Sequence, residues 1–382
     1  MSLNDKLRVA IVHDWLNQVG GAENVLEELH ALFPTAPIYT SMYLRGAMPK
    51  QYRRWDIRTS WLNRIGLSKT HHQWFLLAYP FAFRSLNLSR YDLVISNKSA
   101  FCLNVRVRPD ARHLCYCLTP TRFVWNFDAY VEREGAGDVA RRFVPPFLPY
   151  LQSLERKAAG RVHAFAAIST AVQQRIRRAY ARESSVVYPP VDTGRFRPNP
   201  DMPHHFYLVV SRLIPYKRID LAVQAFNELG LPLVIIGDGR DRAKLEAMAK
   251  PNIQFLGRLS NAETDAYRYR CRAFIFPGED DFGIAPVEVM AAGRPVITFA
   301  AGGALDTVVE GVTGTLFREQ SPSALVDAVT RLQAMRFDAA SIQAHARQFG
   351  CEVFRTKFIE LANNTAEGQL VMSGIPQAGP VN

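Results

Sequence analysis

Tyr188-Pro-Pro-Val-Asp192 and Arg197-Pro-Asn-Pro-Asp-Met-Pro203 concentrate five prolines within fifteen residues, and the apolar run Phe206-Tyr-Leu-Val-Val-Ser211 follows almost at once. Proline lacks an amide donor and fixes φ, so the stretch reads as an exposed linker and a domain boundary. On both sides of it short apolar runs alternate with amphipathic stretches. Upstream, residues 8–13, 91–96, 113–118, 162–168 and 185–188 read as strands, and 148–159 and 171–181 as helices. The first strand passes through a loop at 14–21 into a helix whose Ala22, Val25, Leu26, Leu29 and Leu32 form one apolar stripe, ended by Pro34. Downstream, strands at 206–211, 233–236, 253–256, 273–276 and 296–299 alternate with helices beginning near 218, 241 and 262 and with one at 285–292. Helices at 324–334 and 352–361 follow. Two successive βα arrays imply an α/β chain of two Rossmann-like domains, each a helix-covered parallel sheet, facing a central cleft. Ligands of such sheets bind outside the carboxyl ends of the strands. The expected division is 1–195, 204–350, a helix at 351–362 packed back on the first domain, and a disordered tail at 363–382.

Length and composition agree with this. At 382 residues two cores are expected, and a hydrophobic share of 48% with 21% charged residues describes a folded globular protein. No apolar run is long enough for a membrane span, and the polar opening at 1–6 carries no secretory signal, which makes the cytoplasm the expected compartment. Five scattered cysteines do not read as a disulfide framework. Cys115 and Cys117 share a strand face without a second ligand pair at zinc spacing, so buried thiols are expected there, and no acid and histidine cluster suggests a metal site.

The net charge of +11 is unevenly spread: from Arg45 to Arg90 nine Lys or Arg residues face one acid, Asp56, among Trp55, Trp61, Trp74, Phe75, Phe81 and Phe83. A solvated basic face, nucleic acid, an anionic membrane surface and an acidic substrate such as a lipid diphosphate all fit such a patch. The aromatic and aliphatic content of 71–88 favours the membrane, peripherally at its inner face, and no nucleic-acid motif accompanies the charge.

Three motifs carry chemistry. In Glu279-Asp-Asp-Phe-Gly-Ile-Ala-Pro-Val-Glu288 the first residues follow a strand end and the last lie in a helix. Unsatisfied amides at Gly283 and Ile284 suit an anion or sugar hydroxyls, and a carboxylate on the first turns can chelate a ribose, although acids at a helix start also serve as plain caps. In Ser211-Arg-Leu-Ile-Pro-Tyr-Lys-Arg218, Arg212 and Lys217 bracket a turn into a helix, a place for a diphosphate or an ordinary basic loop. Gly20 and Gly21 of Val19-Gly-Gly-Ala-Glu23 follow the first strand and let backbone amides approach a ligand. Gly237-Asp-Gly239 lacks the third glycine of a dinucleotide fingerprint and is set aside.

At these residues the chain resembles the family 4 glycosyltransferases, retaining enzymes of the GT-B fold, over nearly its whole length to about residue 362. Their signature is two glutamates separated by seven residues around a Phe-Gly step, followed by a Met-Ala-x-Gly-x-Pro-Val segment. Here it falls on Asp280 and Glu288, with aspartate in the first place and Glu279 as an alternative carboxylate. The resemblance implies that Asp280, Phe282, Gly283 and Ile284 hold the donor sugar and Glu288 the nucleotide ribose. It places Arg212 and Lys217 on the diphosphate, Gly257 and Arg258 of Phe255-Leu-Gly-Arg258 near the base, and Gly20 and Gly21 across the cleft. A second glycine loop, 301–307, lies near the donor, and Asn97 and Arg122 are candidates for the acceptor. Leu118, in Cys117-Leu-Thr-Pro-Thr-Arg122, replaces a histidine that contacts the donor sugar near its sixth carbon, so a 6-deoxy sugar or pentose is expected unless another group takes the role. The implied activity is metal-independent, cofactor-free transfer from a GDP- or UDP-sugar, GDP-mannose or a 6-deoxy sugar, to a lipid-linked glycan in cell-surface polysaccharide or lipopolysaccharide assembly. A sugar-nucleotide epimerase of the same architecture and a non-enzymatic polyanion- or membrane-binding protein are the alternatives.

Overall fold

The computed structural model describes residues 7–66, 75–134, 141–142, 144–196 and 205–368. The first sheet contains β1 (Val9–His13), β2 (Ile38–Thr40), β3 (Ile57–Thr59), β4 (Leu93–Lys98), β5 (Arg112–Cys117), β6 (Ala164–Ala167) and β7 (Ser185–Val186). The second contains β8 (Phe206–Val210), β9 (Leu233–Ile236), β10 (Ile253–Gly257), β11 (Cys271–Phe276), β12 (Val296–Phe299) and β13 (Gly314–Phe317). Every pairing is parallel. The orders are β3-β2-β1-β4-β5-β6-β7 and β10-β9-β8-β11-β12-β13. Helices cover both faces, so β1 and β9 are buried along their whole length and read as continuous rather than alternating apolar runs.

Strand order decides where a ligand can sit. In each sheet the connections reverse direction at one place, between β1 and β4 in the first and between β8 and β11 in the second, and a crevice opens outside the carboxyl ends there. The loops leaving β1 and β4 carry Gly20 and Gly21 and the segment after Lys98. Those leaving β8 and β11 carry Arg212, Lys217 and Asp280.

Three strands escape a reading of periodicity. β2 and β3 have three residues each, too few for alternation to show. β13 opens on Gly314, where a Cβ would lie 1.9 Å from the carbonyl oxygen of Val296, so close strand approach demands the residue that least resembles a strand former.

The proline stretch differs from expectation. Pro189, Pro190 and Val191 are buried, not exposed. The reason is a second chain crossing: Val191 N–H donates to the Phe349 carbonyl at 3.0 Å, so the linker pairs with the segment returning to the first domain. Residues 197–204 lie outside the described residues. The final helix, Cys351–Ala366, runs past its expected end, so the start of the expected tail is helical, and 369–382 lie outside the described residues. Its Phe354 and Phe358 pack edge-on against Tyr116 of β5, and Arg355 pairs with Glu28 at 2.7 Å, which seats this helix on the first domain. Cys115 and Cys117 are buried thiols. Among the described residues no helix is long and apolar enough to cross a membrane.

Candidate active site

The loop from β8 and the loop from β11 are packed backbone to backbone. A Cβ at Gly278 would lie 2.8 Å from the Lys217 carbonyl oxygen, and only glycine allows that approach. Lys217 Nζ donates to Oδ2 of Asp280 and lies 5.2 Å from the centre of the Tyr216 ring. Arg212 is exposed, with Nη2 donating to the Tyr216 hydroxyl at 3.1 Å. The helix Ile284–Ala291 starts from Gly283 at φ 90° and ψ 77° with no side-chain cap, and Pro286 contributes no amide. Two cations, one carboxylate and an uncapped helix start therefore converge on the reversal point of the second sheet. Such a constellation suits an anionic, hydroxyl-rich ligand.

Gly302 and Gly303 support the same loop from behind. Gly303 N–H donates to the Asp280 carbonyl at 2.9 Å, and Gly302 has φ +62°. Gly237 and Gly239 have a structural role: Cβ atoms there would lie 1.8 and 2.2 Å from the carbonyl oxygens of Ser211 and Leu213, so these glycines let the arginine loop lie down. Gly257, at φ +71°, accepts from Gly237 N–H at 2.8 Å, and Arg258 beside it is exposed.

Glu288 is held rather than free. Oε1 accepts from Arg195 at 2.7 Å and Oε2 from Arg268 at 2.5 Å, while Asp265 pairs with both arginines. Its side chain is 14% exposed, and each oxygen keeps a lone pair for a hydroxyl. Arg195 belongs to the linker, so the hinge and this carboxylate are tied together.

The first domain meets this surface directly. A Cβ on Gly21 would lie 3.2 Å from Cδ1 of Ile284, so the glycine turn after β1 faces the start of the helix Ile284–Ala291. Arg122 donates to Asp281, Arg175 to Asp281 and Glu279, and the Thr170 N–H to Asp306 at 3.0 Å. Burial works against the Arg122 charge, but Asp281 outweighs it and the pKa is raised. Burial also pushes the Asp281 carboxyl up, yet Arg122 and Arg175 more than reverse this and leave it lowered.

Asn97 is fully buried: Nδ2 donates to His13 Nδ1 at 3.2 Å and to the Ala22 carbonyl at 2.8 Å. In this arrangement it orients His13, whose Nε2 meets Glu23 at 3.2 Å. Both His13 nitrogens thus have a partner in this arrangement. Among the described residues no group of three or more His, Cys, Asp or Glu could hold a metal ion.

Motif spacing did not reveal Arg175, Asp281, Arg195, Arg268 or Asp265. Each is an ordinary charged residue on a helix or loop, and only the folded chain brings it to the cleft. Gly278 carried a weak signal, a glycine directly after an apolar strand.

Two facing Rossmann-like domains with an anion cradle at the reversal point of the second define the GT-B class. Comparison with known proteins agrees. The family described as Glycosyltransferase Family 4 matches residues 19–195, and Glycosyl transferases group 1 matches 191–349. The chain belongs to the family 4 glycosyltransferases. It is 29% identical over 233 residues to a GDP-mannose-dependent alpha-(1-6)-phosphatidylinositol monomannoside mannosyltransferase of Mycobacterium tuberculosis, covering 53% of this chain and 60% of that protein. It is 42% identical over 130 residues to a GDP-mannose-dependent alpha-mannosyltransferase of Mycolicibacterium smegmatis, covering 33% and 34%. The chain thus spans between about a third and 60% of the length of these curated relatives. Among solved structures, Anabaena HepE in complex with UDP superposes with a TM-score of 0.67 at 16% identity, over 93% of this chain and 100% of that one.

Proposed function

We propose that the protein is a retaining glycosyltransferase that moves a sugar from a nucleoside diphosphate to an acceptor held by the first domain, without a metal or a cofactor. The observation that carries this reading is the cradle formed by Arg212, Lys217 and the uncapped helix start after Gly283, all at one sheet's reversal point. In the reaction the glycosidic bond to the diphosphate breaks as the acceptor hydroxyl attacks from the same face, and the leaving diphosphate takes the acceptor proton. Negative charge grows on the diphosphate oxygens, where a guanidinium and an ammonium in fixed positions stabilise it. Removing one such donor typically costs about 3 kcal/mol of barrier. Asp280 and the Gly283 and Ile284 amides would hold the sugar hydroxyls, and Glu288, braced by Arg195 and Arg268, the ribose. Gly257 and Arg258 would lie at the base.

The GDP-mannose dependence of the two mycobacterial relatives supports a GDP-sugar donor. Leu118 cannot hydrogen-bond a hydroxyl at the sixth carbon, which favours a 6-deoxy sugar or pentose within that class. Exposed Trp61, Ile65, Leu77 and Phe81, with Arg64 on the same turn as Trp61 and Arg84 lying 5.9 Å from the Phe81 ring, support a peripheral membrane seat and a lipid-linked glycan acceptor.

Calorimetry and a donor panel test this. A nucleoside diphosphate at about a hundredfold excess over its Kd should stabilise the fold by about 2.7 kcal/mol. The double variant R212A/K217A should lose that gain and at least about a hundredfold in turnover. Unchanged affinity and turnover in the double variant would overturn the reading, and strong preference for a hexose with a free primary hydroxyl would overturn the role given to Leu118.

A further inference from the structure

Arg175 lies on the first-domain helix Thr170–Tyr180, yet its guanidinium reaches the second domain: Nη1 donates to Oδ1 of Asp281 and Nη2 to Oε1 of Glu279 at 2.9 Å. Arg122, also of the first domain, donates to Oδ2 of Asp281. Both oxygens of one largely buried carboxylate, 16% exposed, are thus taken by guanidinium groups from two separate elements of the opposite domain. An exposed ion pair would fix little, but a buried carboxylate gripped on both oxygens allows few geometries. The residue between the two gripped side chains is Asp280. Glu279 and Asp281 turn to the first domain, and Asp280 turns to Lys217 of the second.

We propose that Arg122 and Arg175 are positioning residues: gripping Asp281 and Glu279 across the cleft, they set Asp280 and the Gly283 and Ile284 amides for transfer and hold the domains shut. This rests on the glycosyl-transfer reading above. Its distinguishing consequence is a split between binding and turnover. The groups assigned to the nucleotide, Arg212, Lys217 and Glu288, belong to the second domain and are held by partners other than Arg122 and Arg175, whereas sugar placement rests on the clasp.

The test uses the full chain and the variants R175Q, R175K and E279Q. For R175Q, kcat is expected to fall about tenfold, within the range for a reacting group displaced by less than about 1 Å, while the Kd for GDP or UDP stays within about twofold. Amide hydrogen exchange across 278–284 should rise about tenfold without ligand, with exchange in β8 and β9 unchanged, and the radius of gyration by solution scattering should increase. R175K, which keeps the charge without the planar fork, should recover part of the kcat loss. Unchanged kcat or unchanged exchange in R175Q, an equal loss of nucleotide affinity, or no recovery in R175K would each overturn the proposal. Arg175 is one-third exposed, so the variant should fold. Should R175Q fail to fold, E279Q, which removes the charge of one partner at an exposed position, decides by the same exchange measurement. If the unaltered chain transfers no sugar from any donor, the functional reading falls alone, and exchange at 278–284 still decides the clasp.

Discussion

Gly303 has no room for a side chain: a Cβ there would lie 2.2 Å from Cα of Phe282 and 2.6 Å from the carbonyl oxygen of Asp281. Both contacts are backbone, so nothing can rotate away. The loop that carries Asp280 must move instead. G303A is expected to lower kcat about a hundredfold, because a shift of about 1 Å in a reacting group costs that much, and to destabilise the fold by about 1–3 kcal/mol. Gly46 is the control, since a Cβ there would meet nothing within 4 Å and its φ is ordinary: G46A should stay within about 0.5 kcal/mol in urea melts and keep full activity. At this scale the motif residues were legible, since Arg212, Lys217, Asp280 and Glu288 stand at fixed spacings around recognisable strand ends. Their partners were not. A lone arginine at 175 or 195 has no spacing to announce it, and its meaning comes from what another domain puts in front of it.

At the scale of elements, a buried ion pair ties β4 to the cleft. Lys98 ends β4 and Glu155 lies on the helix Leu148–Ala159; both are buried, 3.3 Å apart. Lys98 Nζ also donates to the Thr119 carbonyl at 3.1 Å, and Glu155 accepts from Thr121 and the Trp125 indole. The segment carrying Leu118 and Arg122 is anchored to the first core this way. Burial opposes the ammonium, but the field of Glu155 and its neighbours outweighs it, and the Lys98 pKa is raised. K98M should cost about 3–5 kcal/mol, because Glu155 is left buried and uncompensated, and the double change K98M/E155L should recover much of it in a chemical-denaturation cycle. Full additivity of the two losses would contradict the pairing.

His113 on β5 shows the opposite titration. Buried, with its Nε2 2.6 Å from the Ser96 hydroxyl, it has a pKa lowered to about 3 by burial, with His163 and Arg161 adding to the effect. The unfolded chain takes up this proton near pH 6.5 and the folded chain near 3. The neutral imidazole therefore contributes stability that is complete above pH 6.5 and is lost as pH falls from there toward 3. Between pH 6 and pH 4, H113Q should flatten the pH dependence of unfolding free energy by up to about 1.4 kcal/mol per pH unit. An unaltered slope would show that His113 does not carry this proton linkage.

Across the whole molecule, the first domain shows two faces. One meets the second domain through Gly21, Arg122 and Arg175. Another carries exposed Trp61, Ile65, Leu77 and Phe81 among the arginines of the basic segment. The proposed membrane seat makes a concrete expectation: the chain should co-sediment with vesicles containing anionic lipid and not with neutral ones, and added salt should release it. W61S/F81S should weaken this binding at least about tenfold, each ring contributing about 1–2 kcal/mol of buried apolar area, while turnover on a water-soluble acceptor analogue is kept. Equal binding to neutral vesicles, or no effect of the double change, would remove the membrane from the account.

The sequence by itself determined the two βα arrays, the parallel sheets they imply and the place of Arg212 and Lys217 in the loop after β8. Those features are local: an apolar run of five residues, a glycine turn and a helix stripe each declare themselves within a few positions. Strand order, the burial of Pro189 and Pro190, the four-membered cluster around Glu288 and the grip on Asp281 were decided only by the tertiary structure. Each joins residues far apart in the chain, 106 positions for Arg175 and Asp281. An ion pair leaves no periodic trace in a sequence, and the position of a charge relative to an opposing domain exists only once both domains have folded.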